Sequence, residues 1–570
     1  MKDKINSILS RERKIGVFER AHLLVSLMSP AEKALWFVAG IVFTFSSFSI
    51  LYSLTNSFTV EIPARGGTLV EGIIGTPRFA NPILAVSDAD RDMVALTYSG
   101  LMRMLPDGSL IPDLADHYSI STDGTVYTFE LKKDLRWSDG EPVTASDVEY
   151  TIKTIQDPAV KSPKRASFEG VSAQVVNDQT ITLTLKHPYA YFLEMTTIGI
   201  VPKHVWKNVD VEEFPFNEKN ISPVGTGPFI VSTILRGKSG APTEFTLVRN
   251  DHFTLGSPYL DSIKLTIFQN EQNATDALAS GAIDSLSNVN PELSAGFVSN
   301  HTIIETTLGR IFGVFFNQNE NTALLELPVR QALTASVNRT KLVQDVLKSF
   351  ASPSSLPIPG FETSQTNIDA SSTLAKNGWT QNADGVMVKK NKKDSTTLAF
   401  TLSVPNVPEL IDTAKFLTAS WQKIGASVQM KVFEPSDLAQ NVIKHRKYDA
   451  LLFGIATGKD PDLYAFWHSS QRNDPGANIA LYTNPKADKL LEAMRGTTDI
   501  KDRAEKTAEL IAEIDKDVPA LFLYSPHFLY VLPKDLKGEK VGMITVPSDR
   551  FANVYEWYTA TDSLFPLFKK

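Results

Sequence analysis

Alternating apolar and polar residues predict β-strands in the first half of the chain. From Tyr127 to Leu131, three apolar side chains are separated by polar ones, as in a strand with one buried face. The pair Asp123-Gly124 just before them indicates a turn. Isoleucine and leucine alternate with threonine at 181–185, which predicts a second strand. Between the two, Thr144 is expected to cap a helix that has Asp147 at its third position.

A strand, a helix and another strand follow one another in the second half. Leu398 to Val404 predicts a strand, and apolar residues from Leu410 to Ile424 then fall on one helical face. Strand alternation resumes from Val428 to Val432. This order favours a parallel pair joined by a right-handed crossover. Another amphipathic helix is expected at Lys501 to Asp517, so the fold class is α/β.

One segment is long and apolar enough to cross a membrane. Ala34 to Leu54 contains no charged residue. At about 1.5 Å per residue it would span about 31 Å, close to the thickness of a bilayer core. Trp36 and Tyr52 lie near its ends, where aromatic rings favour the membrane interface. The segment therefore predicts a transmembrane helix.

The charges around this segment predict its orientation. Seven basic residues precede it, whereas Arg65 is the only one in the flank that follows. Positive-inside logic gives a cytoplasmic leader at 1–33, an anchor at 34–54, a linker at 55–65 and an extracytoplasmic remainder, in the periplasm or at the cell exterior. A cleaved signal peptide is the alternative. An uncleaved single-pass anchor is favoured because the charged lead and the apolar run are long and no A-x-A site follows closely.

Length and composition narrow the class of protein. A chain of 570 residues is too long for one core, so two or three domains are expected. The net charge of −7 provides no basic surplus, and no nucleic-acid partner is expected. The sequence has no cysteine, which excludes disulfides, thiolate metal sites, a cysteine nucleophile and a cysteine-linked lipid anchor.

Sequence motifs for enzyme chemistry are missing. The nine histidines are scattered, and none has metal-ligand spacing, so no metal site is predicted. Gly225-Thr226-Gly227 lacks the third glycine of a dinucleotide fingerprint, and no G-x-S-x-G element is present. The sequence predicts a protein that is not an enzyme and needs no cofactor. An exported hydrolase stays open as an alternative, because glycosidase carboxylates leave little local signature.

Several segments, taken in order, resemble a known family. The longest is Leu114 to Tyr150, which includes Trp137-Ser138-Asp139-Gly140. The others are Val224–Phe229, Arg249–Asp251, Pro258–Asp261, Ala277–Asp284, Phe316–Asn317, Val329–Leu333, Tyr448–Ala450, Asp460–Asp462 and Tyr482–Pro485. Their order and spacing, from about Gly66 to the C-terminus, resemble the oligopeptide, dipeptide and nickel-binding family of extracytoplasmic solute-binding proteins of ABC transporters.

The resemblance implies a particular architecture. The fold would be the two-lobed, type II periplasmic-binding-protein-like fold, with an extra domain inserted in the first lobe. The implied boundaries are 66–110 and 205–309 for the first lobe, 111–204 for the inserted domain, 310–525 for the second lobe and 526–570 for strands that return to the first lobe.

The resemblance also implies a function and a site. Such proteins trap a solute between the lobes and deliver it to a permease with its ATPase. An extended ligand would lie against the strand from Leu451 to Ala456, where a glycine allows close approach. The implied ligand contacts are Phe79, Asn81, Phe453, Gly454, Asp460, Tyr464 and Trp467. For Trp467 the alternative is a place in the core, since tryptophan is usually largely buried.

One departure from the family leaves the ligand open. Peptide-binding relatives carry an aspartate, shortly before the Asp-Pro segment, that pairs with the ligand's amino group. This chain has the residues ATGK at 456–459, and its nearest carboxylates are Asp460 and Asp462. Peptides, nickel complexes, oligosaccharides and other oligomers all remain candidate ligands. A membrane-anchored solute receptor is a further alternative, although the 33-residue leader is too short for a signalling domain.

Overall fold

The computed structural model describes residues 16, 22, 24–58, 60–294, 296–359, 368–390, 394–458 and 462–564. Most of the leader, and the predicted contact Asp460, lie outside these ranges.

The strands of the described chain, in order, are β1 Val60–Ala64, β2 Thr68–Ile74, β3 Met102–Met104, β4 Leu110–Pro112, β5 Ala115–Ile120, β6 Val126–Leu131, β7 Ser172–Asn177, β8 Thr180–Thr184, β9 Phe229–Arg236, β10 Pro242–Arg249, β11 Ser262–Phe268, β12 Ser285–Ser287, β13 His301–Thr307, β14 Arg310–Phe316, β15 Ala351–Pro353, β16 Trp379–Gln381, β17 Met387–Lys390, β18 Ser395–Thr397, β19 Ala399–Pro405, β20 Ser427–Phe433, β21 Ala450–Ala456, β22 Ala520–Pro533 and β23 Ala560–Leu564.

The α-helices are α1 Pro30–Phe58, α2 Asp88–Thr97, α3 Ala145–Gln156, α4 Arg165–Phe168, α5 Phe192–Met195, α6 Lys203–Trp206, α7 Glu271–Ala279, α8 Pro291–Ser294, α9 Thr322–Leu325, α10 Leu327–Ala335, α11 Arg339–Asp345, α12 Ala370–Lys376, α13 Pro408–Gln422, α14 Pro435–Asp437, α15 Tyr464–Trp467, α16 Pro485–Gly496 and α17 Ile500–Asp517.

Two sheets share the long strand β22. The first sheet runs β9-β10-β11-β2-β12 and continues to the C-terminal half of β22, which also pairs with β13. The second sheet runs β20-β19-β21-β14 and continues to the N-terminal half of β22. A single strand therefore passes from one sheet into the other.

Side chains on three neighbouring strands join the two sheets at this crossing. The Ser352 hydroxyl on β15 lies 2.8 Å from Nε2 of His527 on β22. The Nδ1 atom of the same imidazole contacts the Glu305 carboxylate on β13. The resulting hydrogen-bonded chain ties β13 and β15 to opposite edges of β22.

A separate four-stranded sheet has the order β5-β6-β8-β7. Its buried face is built from the alternating apolar residues of β6 and β8, such as Phe129 and Ile181, which are both fully buried. Helix α3 packs on this sheet, and its capping box pairs Thr144 with Asp147. These two strands, the turn before them and the capped helix confirm the sequence predictions.

The second sheet contains the predicted parallel pair. β19 pairs with β20 in parallel along seven residue pairs, from Ala399↔Ser427 to Pro405↔Phe433. Helix α13 connects them and buries Leu410, Leu417 and Trp421. The strand–helix–strand unit is therefore confirmed.

The N-terminal region contains helix α1 and a two-stranded ribbon. Within the described chain, one helix is long and apolar enough to cross a membrane, by length and composition, over Pro30–Ser53. The ribbon pairs β1 with β23 in antiparallel register, from Val60↔Leu564 to Ala64↔Ala560. It joins the segment after α1 to the C-terminal end of the described chain.

Candidate functional site

Strand β21 has one edge that is only partly paired. On one side it pairs with β14 along its whole length, from Arg310↔Ala456 to Phe316↔Ala450. On the other side β19 pairs only with Ala450 and Leu451. Within the described ranges, the edge from 452 to 456 faces no further strand. Unpaired N–H and C=O groups of this kind can bind an extended chain by β-augmentation.

Gly454 lies in the middle of this edge and has a packing role. A Cβ atom at this position would lie 2.8 Å from the ring of Phe312. That ring stacks on Tyr524, with 5.3 Å between the ring centroids. The glycine therefore makes room for Phe312, a reason that the sequence pattern did not reveal. Phe453 beside it is half-buried against the second sheet's core.

Tyr464, on the short helix α15, is held between charged and aromatic neighbours. The guanidinium carbon of Arg495 lies 3.8 Å from the centroid of its ring. The His468 imidazole stacks on the same ring with a centroid distance of 4.0 Å. Arg495 also donates to both oxygens of Asp462, at 3.0 and 2.6 Å. The carboxylate of Asp462 is therefore already committed to a partner.

Trp467 is placed in the core of the second sheet. It is 1% exposed, and its ring contacts those of Phe315, Tyr482 and Phe522 at centroid distances of 6.3, 6.1 and 5.8 Å. Its surroundings are those of a tryptophan buried in the core, which is the alternative that the sequence left open.

The loop that carries Phe79 is organised by Asp90 of α2. The Asp90 carboxylate accepts hydrogen bonds from the backbone N–H groups of Arg78, at 2.7 Å, and Phe79, at 2.8 Å. It also accepts one from Ser87 at the start of the helix. Burial opposes its ionised form, but these backbone donors outweigh burial and hold the pKa of Asp90 below its ordinary value.

Sequence reasoning missed Asp90. The signal was available as the capping-box spacing between Ser87 and Asp90.

Phe79 and Asn81 lie in a different part of the structure from the other predicted contacts. Asn81 is fully buried; its amide donates to Asn220 at 3.1 Å and accepts from the N–H of Ile83 at 3.0 Å. Phe79 is half-buried against the core of the four-stranded sheet. Phe453, Tyr464 and Trp467 share a second core. The predicted contact residues that the structure describes therefore fall into two groups. One group packs near the four-stranded sheet and the other near the second sheet.

The described residues include no group of three or more His, Cys, Asp or Glu side chains placed to hold a metal ion.

Comparison with known proteins identifies the family. Residues 109–477, more than half of the chain, match the model of the bacterial extracellular solute-binding proteins, family 5. The chain belongs to this family, and its fold is the two-lobed α/β fold implied by the sequence segments.

Individual relatives are similar along most of their length. The oligopeptide-binding protein AppA of Bacillus subtilis is 29% identical over 520 residues, which cover 87% of this chain and 92% of the relative. The solved structure of AppA in complex with a nonapeptide has a TM-score of 0.66 at 26% identity, covering 88% of this chain and 100% of the other. NikZ of Campylobacter jejuni, solved with Ni(L-His), has a TM-score of 0.68 at 27% identity, covering 86% and 99%.

Proposed function

We propose that this chain is the solute-binding component of an ABC importer and that it captures peptides in extended form. The observation that carries this proposal is the edge of β21 from 452 to 456, which no other strand of the described chain pairs with. Hydrogen bonds along such an edge hold the backbone of a peptide whatever its side chains are, which suits a carrier of varied peptides. The similarity to an oligopeptide-binding protein supports the same ligand class.

The proposed site has a front layer and a supporting layer. Phe453, Gly454, Asp460 and Tyr464 would face the ligand from one lobe, and Phe79 from the other. The fully buried Asn81 and Trp467 would not touch the ligand. Asn81 would fix the position of the Phe79 loop, and Trp467 that of helix α15.

We propose domain boundaries that assign the three main sheets to three parts of the chain. The four-stranded sheet lies within the inserted domain proposed at 111–204, and the first sheet in the first lobe at 66–110 and 205–309. The second lobe would take 310–525. The residues after 525 would return to the first lobe, because β22 continues there as a strand of the first sheet.

Backbone recognition predicts which chemical changes to a peptide matter. Calorimetry with tri- to nonapeptides should give dissociation constants that vary little with side chains. N-methylation at alternate residues should weaken binding by at least about tenfold, because each methyl removes a donor to the strand edge. The same peptides with methyl groups on side chains serve as the control. Binding of nickel-histidine or oligosaccharides, with no binding of any peptide, would contradict the proposal.

We further propose that the chain binds its solute without changing it. The order Ser352, His527 and Glu305 is that of a hydrolytic triad, so this point needs a direct test. Peptides incubated with the protein should be recovered intact by mass spectrometry. Cleavage that disappears in Ser352→Ala would instead identify an exported hydrolase.

Helix α1 is proposed as an uncleaved membrane anchor with the solute-binding part outside the cytoplasm. Its uncharged stretch from Ala34 to Leu54, preceded by seven basic residues, supports this orientation. Protease added to intact spheroplasts should digest the bulk of the chain and leave a small fragment that contains the anchor. A mature protein that begins after residue 54 would show a cleaved signal peptide, and a fully protected chain would overturn the topology.

A further inference from the structure

The segment at 189–191, which follows the four-stranded sheet, contacts the helices of the second sheet. The hydroxyl of Tyr189 donates to Oδ2 of Asp462 at 3.0 Å. The N–H of Ala190 donates to the carbonyl of Arg495 at 2.8 Å. The guanidinium carbon of Arg503 lies 5.2 Å from the centroid of the Tyr191 ring. Residues 189–191 lie in the proposed inserted domain, whereas Asp462, Arg495 and Arg503 lie in the proposed second lobe. The contacts therefore exist only while these two parts are close together.

The chemistry of this contact centres on Arg495. Its guanidinium forms an ion pair with Asp462, stacks on Tyr464 and lies 5.6 Å from the ring centroid of Tyr189. Burial, together with the adjacent Asp462 carboxylate, raises the pKa of Tyr189, so its hydroxyl stays protonated and remains a donor. The pair is partly exposed, with side-chain exposures of 33% for Arg495 and 19% for Asp462. Arg495 and Asp462 lie on the same side of the contact, so separation of the two parts would break the bond from Tyr189 and leave its hydroxyl and the Asp462 carboxylate to be hydrated.

We infer that Tyr189 and Arg495 form a latch that sets ligand affinity without touching the ligand. The inference rests on the proposed function, because it assumes that a solute is held between parts that approach and separate. A protein that binds tightly only when closed has an apparent affinity proportional to its closed fraction. Contacts made only in the closed form increase that fraction. Arg495 also orients Tyr464, so the latch connects closure to the position of a proposed contact residue.

The first test measures closure in the absence of any ligand. Because the chain has no cysteine, spin labels can be attached only where cysteine is introduced. Val176 on β7 and Ile500 on α17 are suitable positions, since they are 61% and 74% exposed. Double electron–electron resonance on V176C/I500C full-length protein in nanodiscs should give longer distances when Tyr189→Phe is added. Tyr118→Phe, on the same four-stranded sheet, should leave the distribution unchanged. Identical distributions with tyrosine and phenylalanine at 189 would overturn the latch.

The second test separates a latch from a merely structural contact. With the peptide that the wild-type protein binds best, Tyr189→Phe should raise the dissociation rate about threefold to tenfold, the loss expected for one partly exposed hydrogen bond of ordinary strength. The association rate and the melting temperature should change little. Arg495→Lys, which keeps the charge but loses the bidentate pair and the stack, should raise the dissociation rate further.

Each outcome discriminates between the two proposals. A lower melting temperature with unchanged rates would mean that these residues only stabilise the fold, which rejects the latch. If no peptide binds but the label distances still lengthen in Tyr189→Phe, the latch holds and the proposed ligand class fails.

Discussion

Replacing Arg550 by methionine is expected to lower the free energy of unfolding by about 3–5 kcal/mol, since it leaves two buried carboxylates without a counter-ion. Arg550, after the first sheet's last strand, is fully buried. Its guanidinium donates to Glu71 of β2 at 2.9 Å and to both oxygens of Asp92 of α2, at 2.8 and 2.7 Å. Urea unfolding of the solubilised full-length chain, followed by circular dichroism, measures the loss.

The loss should depend on pH in a defined direction. Burial outweighs the attraction of Arg550 and already raises the pKa of Glu71 and of Asp92 in the native protein. Without the arginine, both folded-state values rise further. The folded variant then binds protons that the unfolded chain has released, so its stability falls as pH rises. The deficit of Arg550→Met relative to wild type should be smallest near the ordinary carboxyl pKa of about 4 and largest above neutrality.

Arg249→Met provides a matched control. Arg249 also bridges two carboxylates, those of Asp251 at 3.1 Å and Asp261 at 2.5 Å. Those two carboxylates are 60% and 57% exposed, so the expected loss is at most about 1 kcal/mol. Equal losses of unfolding free energy in Arg550→Met and Arg249→Met would show that burial does not determine how much the Arg550 ion pairs stabilise the fold.

Trp467→Ala is expected to lower the free energy of unfolding by about 3–5 kcal/mol, the range for deleting a large buried aromatic side chain. The Trp467 ring fills the space between Phe315, Tyr482 and Phe522. These three side chains cannot move far enough to fill the cavity that the substitution would leave. Phe216→Ala, at a residue 85% exposed, should change stability by less than about 0.5 kcal/mol.

A milder variant tests how Trp467 takes part in binding. If Trp467 supports the site without touching the ligand, Trp467→Phe should keep most of the stability and most of the peptide affinity. If Trp467→Phe keeps native stability but shows no measurable peptide binding, the indole is instead in direct contact with the ligand.

The sequence was most informative where neighbours along the chain determine structure. The period-two pattern of 127–131 and the Thr144 cap each depend on a few adjacent residues, and both elements form as expected. The pair β19 and β20 was also predictable, because a strand, a helix and a strand in succession have few ways to pack. Family segments added the two-lobed fold, which local patterns could not supply.

Long-range chemistry was not predictable in the same way. Nothing near Arg550 in the sequence indicates that Glu71 and Asp92 surround it, since the three residues come together only when the C-terminal segment reaches the first sheet. The sequence likewise showed no sign of the partners of Asp462, because Arg495 and Tyr189 come from other segments. The contact role of the predicted site residues stays a prediction, because ligand contacts depend on how two separate groups of residues meet.

The ribbon of β1 and β23 has a consequence for the order in which the protein matures. β1 emerges from the ribosome early, whereas its partner is the last strand of the described chain, with Val60 opposite Leu564. Isolated strand pairs have little stability in water, and β1 cannot pair in this register until residues 560–564 have been synthesised. The ribbon therefore closes after the sheets have had time to form. Any chain truncated before 560 lacks it, so a closed ribbon marks a molecule whose synthesis has run through β23.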